Sequence, residues 1–377
     1  MYPHVRVSGS ARTRGQQYGS QVPDRVARSI DAYRKVFAHY AHWDWDKVTH
    51  EAMRYVDPID EFGPQYLEEL RGIAEGAEVP FDDIMAINVR TEVMYAAKAR
   101  NAAMQLPRVG ECTAFAAVPS DGRPVLVGQN WDWLAHAFDT TIVLESDPTS
   151  GPRFVTAVEA GLLAKTGFNE YGIGLATNAL ACETDLGQPG VPFHVMLRAL
   201  LDSVTPAHAL ATLQRASRSS SAHYLIGHRD HLALGIEATP GGFADLHLTS
   251  PDARGVILHA NHFVHDRFDH VDVGLWLMPD SAFRYQRADR WLTEQDPFDI
   301  STYEALLSDH AGHPTGICCH PNLTAIEQEQ EATVLSVIMD LDAMTMRFAD
   351  GLPCTTAYRT IDYSEFFRRP VPLTRAD

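Results

Sequence analysis

Apolar residues recur at helical spacing between about residues 24 and 98. Val26, Ile30, Tyr33, Val36 and Phe37 make one stripe, and Tyr66, Leu67, Leu70 and Ile73 make another. Pro80, followed by Asp82 and Asp83, predicts a helix start near Phe81, because proline suits the first turn and acids suit its positive dipole end. The first quarter of the chain is therefore expected to be mostly helical. Near Val109 the period changes. Short runs rich in Val, Ile, Thr and aromatic residues predict strands at 113–118, 124–131, 140–145, 154–159 and 172–176, with Asp121-Gly122 as the turn between the first two.

An amphipathic run at 193–201 precedes Thr205-Pro206, which reads as an N-cap with proline at the first helical position of a second helix reaching about Ala216. Strands are expected again at 222–226, 232–238 and 256–259, helices at 281–294 and 303–308, and a final hairpin at 333–348. No internal repeat, low-complexity segment or long linker interrupts the pattern. This order of elements describes a layered α+β domain, with sheets packed face to face and helices outside. Periodicity names the fold no further.

Composition narrows the function. The 377 residues carry a formal charge of −18, with a pI near 5.4, which argues against nucleic acid or an anionic membrane surface as the main partner. The beginning of the chain has no apolar core of signal-peptide length, and nowhere do about 18 apolar residues run together. The expected location is cytoplasmic. Five cysteines at irregular spacing (Cys112, Cys182, Cys318, Cys319, Cys354) do not describe a disulfide framework and leave at least one thiol free.

Cysteine is a strong nucleophile only as thiolate, so a catalytic one needs a base and a polar or cationic surrounding. Cys112 stands at the switch from helical to strand composition, where a processing site can be exposed. Cys318-Cys319-His320 is its rival, as a catalytic or metal-binding set, but no second cysteine-rich segment completes a zinc site. His259, His262 and His265 are spaced for one helix face, yet Val256-Ile257-Leu258 predicts a strand. On a strand residues three apart face opposite sides, so no metal site is expected there. Asp132, between Trp131 and Trp133, is either a functional carboxylate at a strand end or a turn acid bonded to the backbone.

Taken together, Gly9 to Gly19, Glu69 to Gly76, Ile87 to Glu92, the Cys112-Thr113 step, Gly128 to Trp133, Gly167 to Asn178 and His259 to His262 resemble the isopenicillin N acyltransferase family. These are N-terminal-nucleophile hydrolases related to choloylglycine hydrolase and acid ceramidase. The resemblance implies a four-layer αββα sandwich, with residues 1–111 as a helical N-terminal segment and 112–377 as the catalytic domain. It implies self-cleavage between Glu111 and Cys112, where Glu111 replaces the glycine of the best-known members, and Cys112 as the catalytic thiol. Asp132 is expected to hold the freed amino group, and Asn178 and Asn261 to stabilise an oxyanion. The implied activity is amide hydrolysis or acyl transfer on a small N-acyl compound through a thioester, the alternative being an uncleaved binding protein. An acyl-CoA is a candidate donor, the two fragments are expected to stay associated, a higher oligomer is compatible, and no cofactor or metal is expected.

Overall fold

The structure is a computed structural model that describes residues 2–101, 104 and 112–368. The chain opens with strand β1 (His4–Gly9) and continues through helices α1 (Ala11–Gln21), α2 (Pro23–Tyr40), α3 (Trp45–Ala52), α4 (Val56–Phe62), α5 (Pro64–Ala77), α6 (Phe81–Asn88) and α7 (Arg90–Arg100). There follow β2 (Cys112–Ala117), β3 (Leu126–Leu134), α8 (Ala137–Thr140), β4 (Thr141–Pro148), β5 (Phe154–Glu159), β6 (Thr166–Asn169) and β7 (Ile173–Ala179). Next come α9 (Phe193–Leu201), α10 (Pro206–Arg215), β8 (Ala222–His228), β9 (Leu232–Ala238), β10 (Leu246–Thr249) and β11 (Val256–His259). The last elements are α11 (Val273–Leu277), α12 (Asp280–Glu294), α13 (Ile300–Leu307), β12 (Glu331–Asp340), β13 (Thr345–Ala349), β14 (Arg359–Asp362) and α14 (Ser364–Phe367).

Two sheets carry the architecture. The larger runs β1-β4-β5-β6-β7-β8-β9-β10, and the smaller β11-β2-β3-β12-β13-β14. Neighbours are antiparallel except β1 and β4. β2 and β3 pack face to face on β7 and β8, while α1, α9 and α10 cover the outer face of the larger sheet and α12 and α13 that of the smaller. These are the four layers of an αββα sandwich. Strands covered on both faces lose polar alternation, which is why every residue of β2 and β3 is buried. Among the described residues no helix is long and apolar enough to cross a membrane.

Local signals act as expected at α10, where the Thr205 side chain accepts from the His208 N–H at 3.1 Å and Pro206 takes the first turn. The helical lead departs from expectation in β1, whose Val5 and Val7 are buried and which pairs with β4. The segment before Cys112 therefore supplies an edge strand to a sheet built from later residues. Helices α1 and α5 lie backbone to backbone. A Cβ at Gly15 would sit 2.1 Å from the Glu69 carbonyl oxygen, and one at Gly72 would sit 2.2 Å from that of Arg12. Beside this contact Arg14 pairs with the buried Glu69 at 2.6 Å.

Candidate active site around Cys112

Cys112 is the first residue of β2, opposite Trp131 of β3. Its main chain is held from three later elements. The N–H donates to Asn261 Oδ1 at 2.6 Å, and the carbonyl accepts from Asn178 Nδ2 at 3.0 Å and Arg284 Nη1 at 2.9 Å. Asn178 comes from β7, Asn261 from just beyond β11, and Arg284 from the buried face of α12. Arg284 also donates to Asn261 Oδ1 at 3.1 Å and pairs with Asp280 at 3.1 Å, so the guanidinium is fixed from both sides. Asn261 Nδ2 donates to the Ala179 carbonyl at 3.0 Å, which points its amide oxygen at the Cys112 nitrogen. Asn178 Oδ1 lies 2.9 Å from His223 Nδ1, and that ring stacks on His259 with centroids 3.6 Å apart. Burial, then the neighbouring His259, holds the His223 imidazole well below its ordinary pKa, which suits a neutral ring donating from Nδ1.

The thiol is fully enclosed. Burial pushes its pKa up, and the Lys165 ammonium pulls it back. The Asp132 carboxylate pushes it up again, against the Asp132 main-chain N–H that hydrogen-bonds the sulfur and against Arg284. Asp132 itself is buried on β3, and its Oδ1 accepts from Thr333 Oγ1 of β12. Lys165, just before β6, stands over the Trp131 ring at 4.9 Å. Burial lowers its amine to about 8. Attraction to Cys112 opposes that fall, and the charge of Arg90 adds to it.

A largely apolar cavity lies beside this cluster, lined by Tyr33, Phe37, Met94, Trp133, Leu180 and Phe193. Its polar lining includes Lys165, Arg90 and His194. Arg90 packs on the rings of Tyr33 and Trp133 at 5.0 and 4.8 Å and donates to His194 Nε2 at 2.7 Å. His194 Nδ1 faces the Ala164 carbonyl at 2.9 Å, so the ring accepts on one side and donates on the other as a neutral imidazole. Burial followed by the charges of Arg90 and Lys165 lowers its pKa well below the ordinary range. Cys112 is not one of its lining residues, but Lys165, whose charge acts on the thiol, and Ala179 are.

The remaining candidates separate. His259 Nε2 meets Glu237 at 2.9 Å, His262 Nδ1 meets Ser281 Oγ at 2.8 Å, and His265 Nδ1 accepts from the Arg267 N–H at 3.1 Å, so these imidazoles do not converge. Cys318 and Cys319 part company. Cys319 Sγ lies 3.8 Å from the Glu331 carbonyl, whereas Cys318 turns toward His320, His310 and Cys354, a grouping of four potential metal ligands. Glu111 lies outside the described residues.

The family model described as acyl-coenzyme A:6-aminopenicillanic acid acyl-transferase matches residues 118–353. The chain belongs to this family. The match takes in Asp132, Lys165, Asn178, Asn261 and Arg284 and begins just after Cys112. Among relatives of the acyltransferase family, the 40 kDa form of acyl-coenzyme A:6-aminopenicillanic-acid-acyltransferase from Emericella nidulans is 28% identical over 319 residues, 84% of each chain. Among solved structures, a cysteine-to-alanine mutant of conjugated bile acid hydrolase from Clostridium perfringens is 15% identical with a TM-score of 0.45, covering 67% of this chain and 93% of that one. Penicillin V acylase from Agrobacterium tumefaciens is 14% identical with a TM-score of 0.43, covering 67% and 86%. Membership puts the chain in an acyltransferase family that handles small acyl substrates.

Three side chains of this cluster were missed in the sequence. Lys165 is one of only four lysines and follows the apolar run Leu162-Leu163-Ala164. A lysine so placed is a buried-cation signal. Arg284 lies on the apolar stripe of α12 with Ser281, Ala288 and Leu292, where a charge has to be paired. Arg90 carries no comparable local signal.

Proposed function

We propose that this acyltransferase-family chain is an autoprocessed N-terminal-cysteine enzyme that hydrolyses or transfers the acyl group of small N-acyl compounds through a thioester on Cys112. The observation that carries the reading is the convergence of Asn261, Asn178, Arg284 and Lys165 on a single cysteine at the start of a buried strand. In the precursor the Cys112 thiol attacks the Glu111 carbonyl. The amide nitrogen leaves as the free α-amine when the acyl bond shifts from N to S, and water hydrolyses the resulting thioester, releasing the Glu111 carboxylate and regenerating the Cys112 thiol. That amine, with an ordinary pKa near 8, then serves as base for its own thiol near neutral pH.

Asn261, whose oxygen already faces the Cys112 nitrogen, holds the amine in place. Lys165, Arg284 and the Asp132 N–H favour the thiolate. Asn178 is the candidate oxyanion donor; its amide, which donates to the Cys112 and His259 main-chain carbonyls at 3.0 and 3.3 Å, lies beside the nucleophile. Asp132, anchored by Thr333, fixes the end of β3 on which the sulfur rests. The apolar cavity takes the acyl group, and Lys165 and Arg90 in its lining take a polar or anionic part of the substrate. Water or an amine, with an acyl-CoA as a candidate donor, completes the turnover. Because the cavity is lined by residues of α2 and α7 and the larger sheet includes β1, the fragment before Cys112 is expected to stay bound after cleavage.

Intact-mass analysis of purified protein beside Cys112→Ala tests the reading. The expected result is fragments 1–111 and 112–377 from the wild type, a whole chain from the variant, and a single acyl adduct on Cys112 with an activated ester. A wild-type chain that stays whole and takes up no acyl group would leave an uncleaved binding protein as the better account.

A further inference from the structure

We propose that His310, Cys318, His320 and Cys354 bind a structural zinc ion. The four potential donor atoms all lie within 4.8 Å of one another. Cys318 Sγ and Cys354 Sγ are 3.6 and 3.5 Å from His320 Nε2, and His310 Nε2 is 3.0 Å from it. With Zn–S near 2.3 Å and Zn–N near 2.0–2.1 Å, a tetrahedral site has donor-to-donor edges of roughly 3.3–3.8 Å. The two thiol edges at His320 Nε2 match that range, the His–His approach is shorter and the whole set is bounded at 4.8 Å, so an ion between the donors would widen the first and draw in the rest. Two thiols and two imidazoles are a donor set that favours zinc over the hard cations Mg²⁺ and Ca²⁺.

The ligands join two segments, the connection between α13 and β12 and the one between β13 and β14. His310 follows α13, Cys318 and His320 precede β12, and Cys354 lies between β13 and β14. Four protein ligands fill a tetrahedral shell, so the ion would serve as a clamp.

The clamped loop reaches the candidate active site through its main chain. The Ile317 carbonyl accepts from Asn130 Nδ2 at 2.7 Å. The Cys319 N–H donates to Thr333 Oγ1 at 2.9 Å, and that hydroxyl donates to Asp132. Asn130 and Asp132 flank Trp131, the residue opposite Cys112. The ion would thereby hold the loop against which this part of β3 is set.

Metal content tests the assignment without reference to activity. Full-length protein purified with reductant and equilibrated with zinc sulfate, then gel-filtered, should carry about one zinc per chain by elemental analysis. Cys354→Ser and His310→Ala, the latter changing an exposed side chain, should each lose most of it with their circular dichroism intact, whereas Cys182→Ser should keep it. Cobalt loaded in place of zinc should give tetrahedral d–d bands and a thiolate charge-transfer band that Cys354→Ser abolishes. Wild-type protein without stoichiometric zinc, zinc retained in both Cys354→Ser and His310→Ala, or a Cys318–Cys354 disulfide in place of the metal would overturn the proposal.

Discussion

Replacing Lys165 by methionine removes a buried ammonium while keeping most of its volume. Burial lowers this amine from its ordinary 10.5 to about 8. The folded state thus binds the proton less tightly than the unfolded chain. Below pH 8 the charged amine costs stability in full; the cost shrinks as pH rises from 8 toward 10.5 and is gone above that. A gap of that size corresponds to about 3 kcal/mol. The ammonium's contact with Trp131 returns roughly 1 kcal/mol of this, so Lys165→Met is expected to be more stable at pH 7 by about 1–3 kcal/mol. For a chain of this length that raises the melting temperature by roughly 1–4 °C. The same variant loses the strongest influence that lowers the Cys112 pKa. Acylation by an activated ester at pH 7 should slow by roughly tenfold for each unit by which the thiol pKa rises. Melting curves at pH 7, 8, 9 and 10 beside burst kinetics make the measurement. A variant less stable than the wild type at pH 7, or a stability difference that stays constant from pH 8 to 10, would refute the argument.

Asn261→Ala should slow acylation of Cys112 by about a hundredfold, because the Cys112 nitrogen loses the group that orients it. Equal burst rates in variant and wild type would remove Asn261 from the site. Gly72→Leu should cost about 1–3 kcal/mol, since even the first carbon of the new side chain falls 2.2 Å from the Arg12 carbonyl oxygen and the two helices have to separate. An unchanged denaturation midpoint would contradict that packing.

Much of the fold was legible because local rules and burial agree. Phe154–Glu159, Phe193–Leu201, Leu232–Ala238 and Val256–His259 form over the stretches their patterns predict. The strands missed are short ones: β6 contains a glycine, while β1, β10 and β14 lie at or beside sheet edges. Such strands owe their pairing to neighbours that are distant in sequence.

The sequence by itself determined the layered α+β class, the change of character near Cys112, the family resemblance and the residues Asp132, Asn178 and Asn261 as its companions. Only the tertiary structure decided how they meet. Asn261 turns its oxygen to the Cys112 nitrogen because Ala179 and Arg284 fix the amide, an orientation set by residues on β7 and α12. Lys165 and Arg284 joined the site for the same reason: burial beside a thiol or a carbonyl is a property of three packed layers. Cys318 and His320 looked incomplete along the chain because Cys354, their fourth companion with His310, lies 34 residues beyond His320 and is returned by the hairpin of the smaller sheet. Local pattern reports the period of a segment, whereas a site is a meeting of segments, and the distances that make chemistry exist only once the sheets have packed.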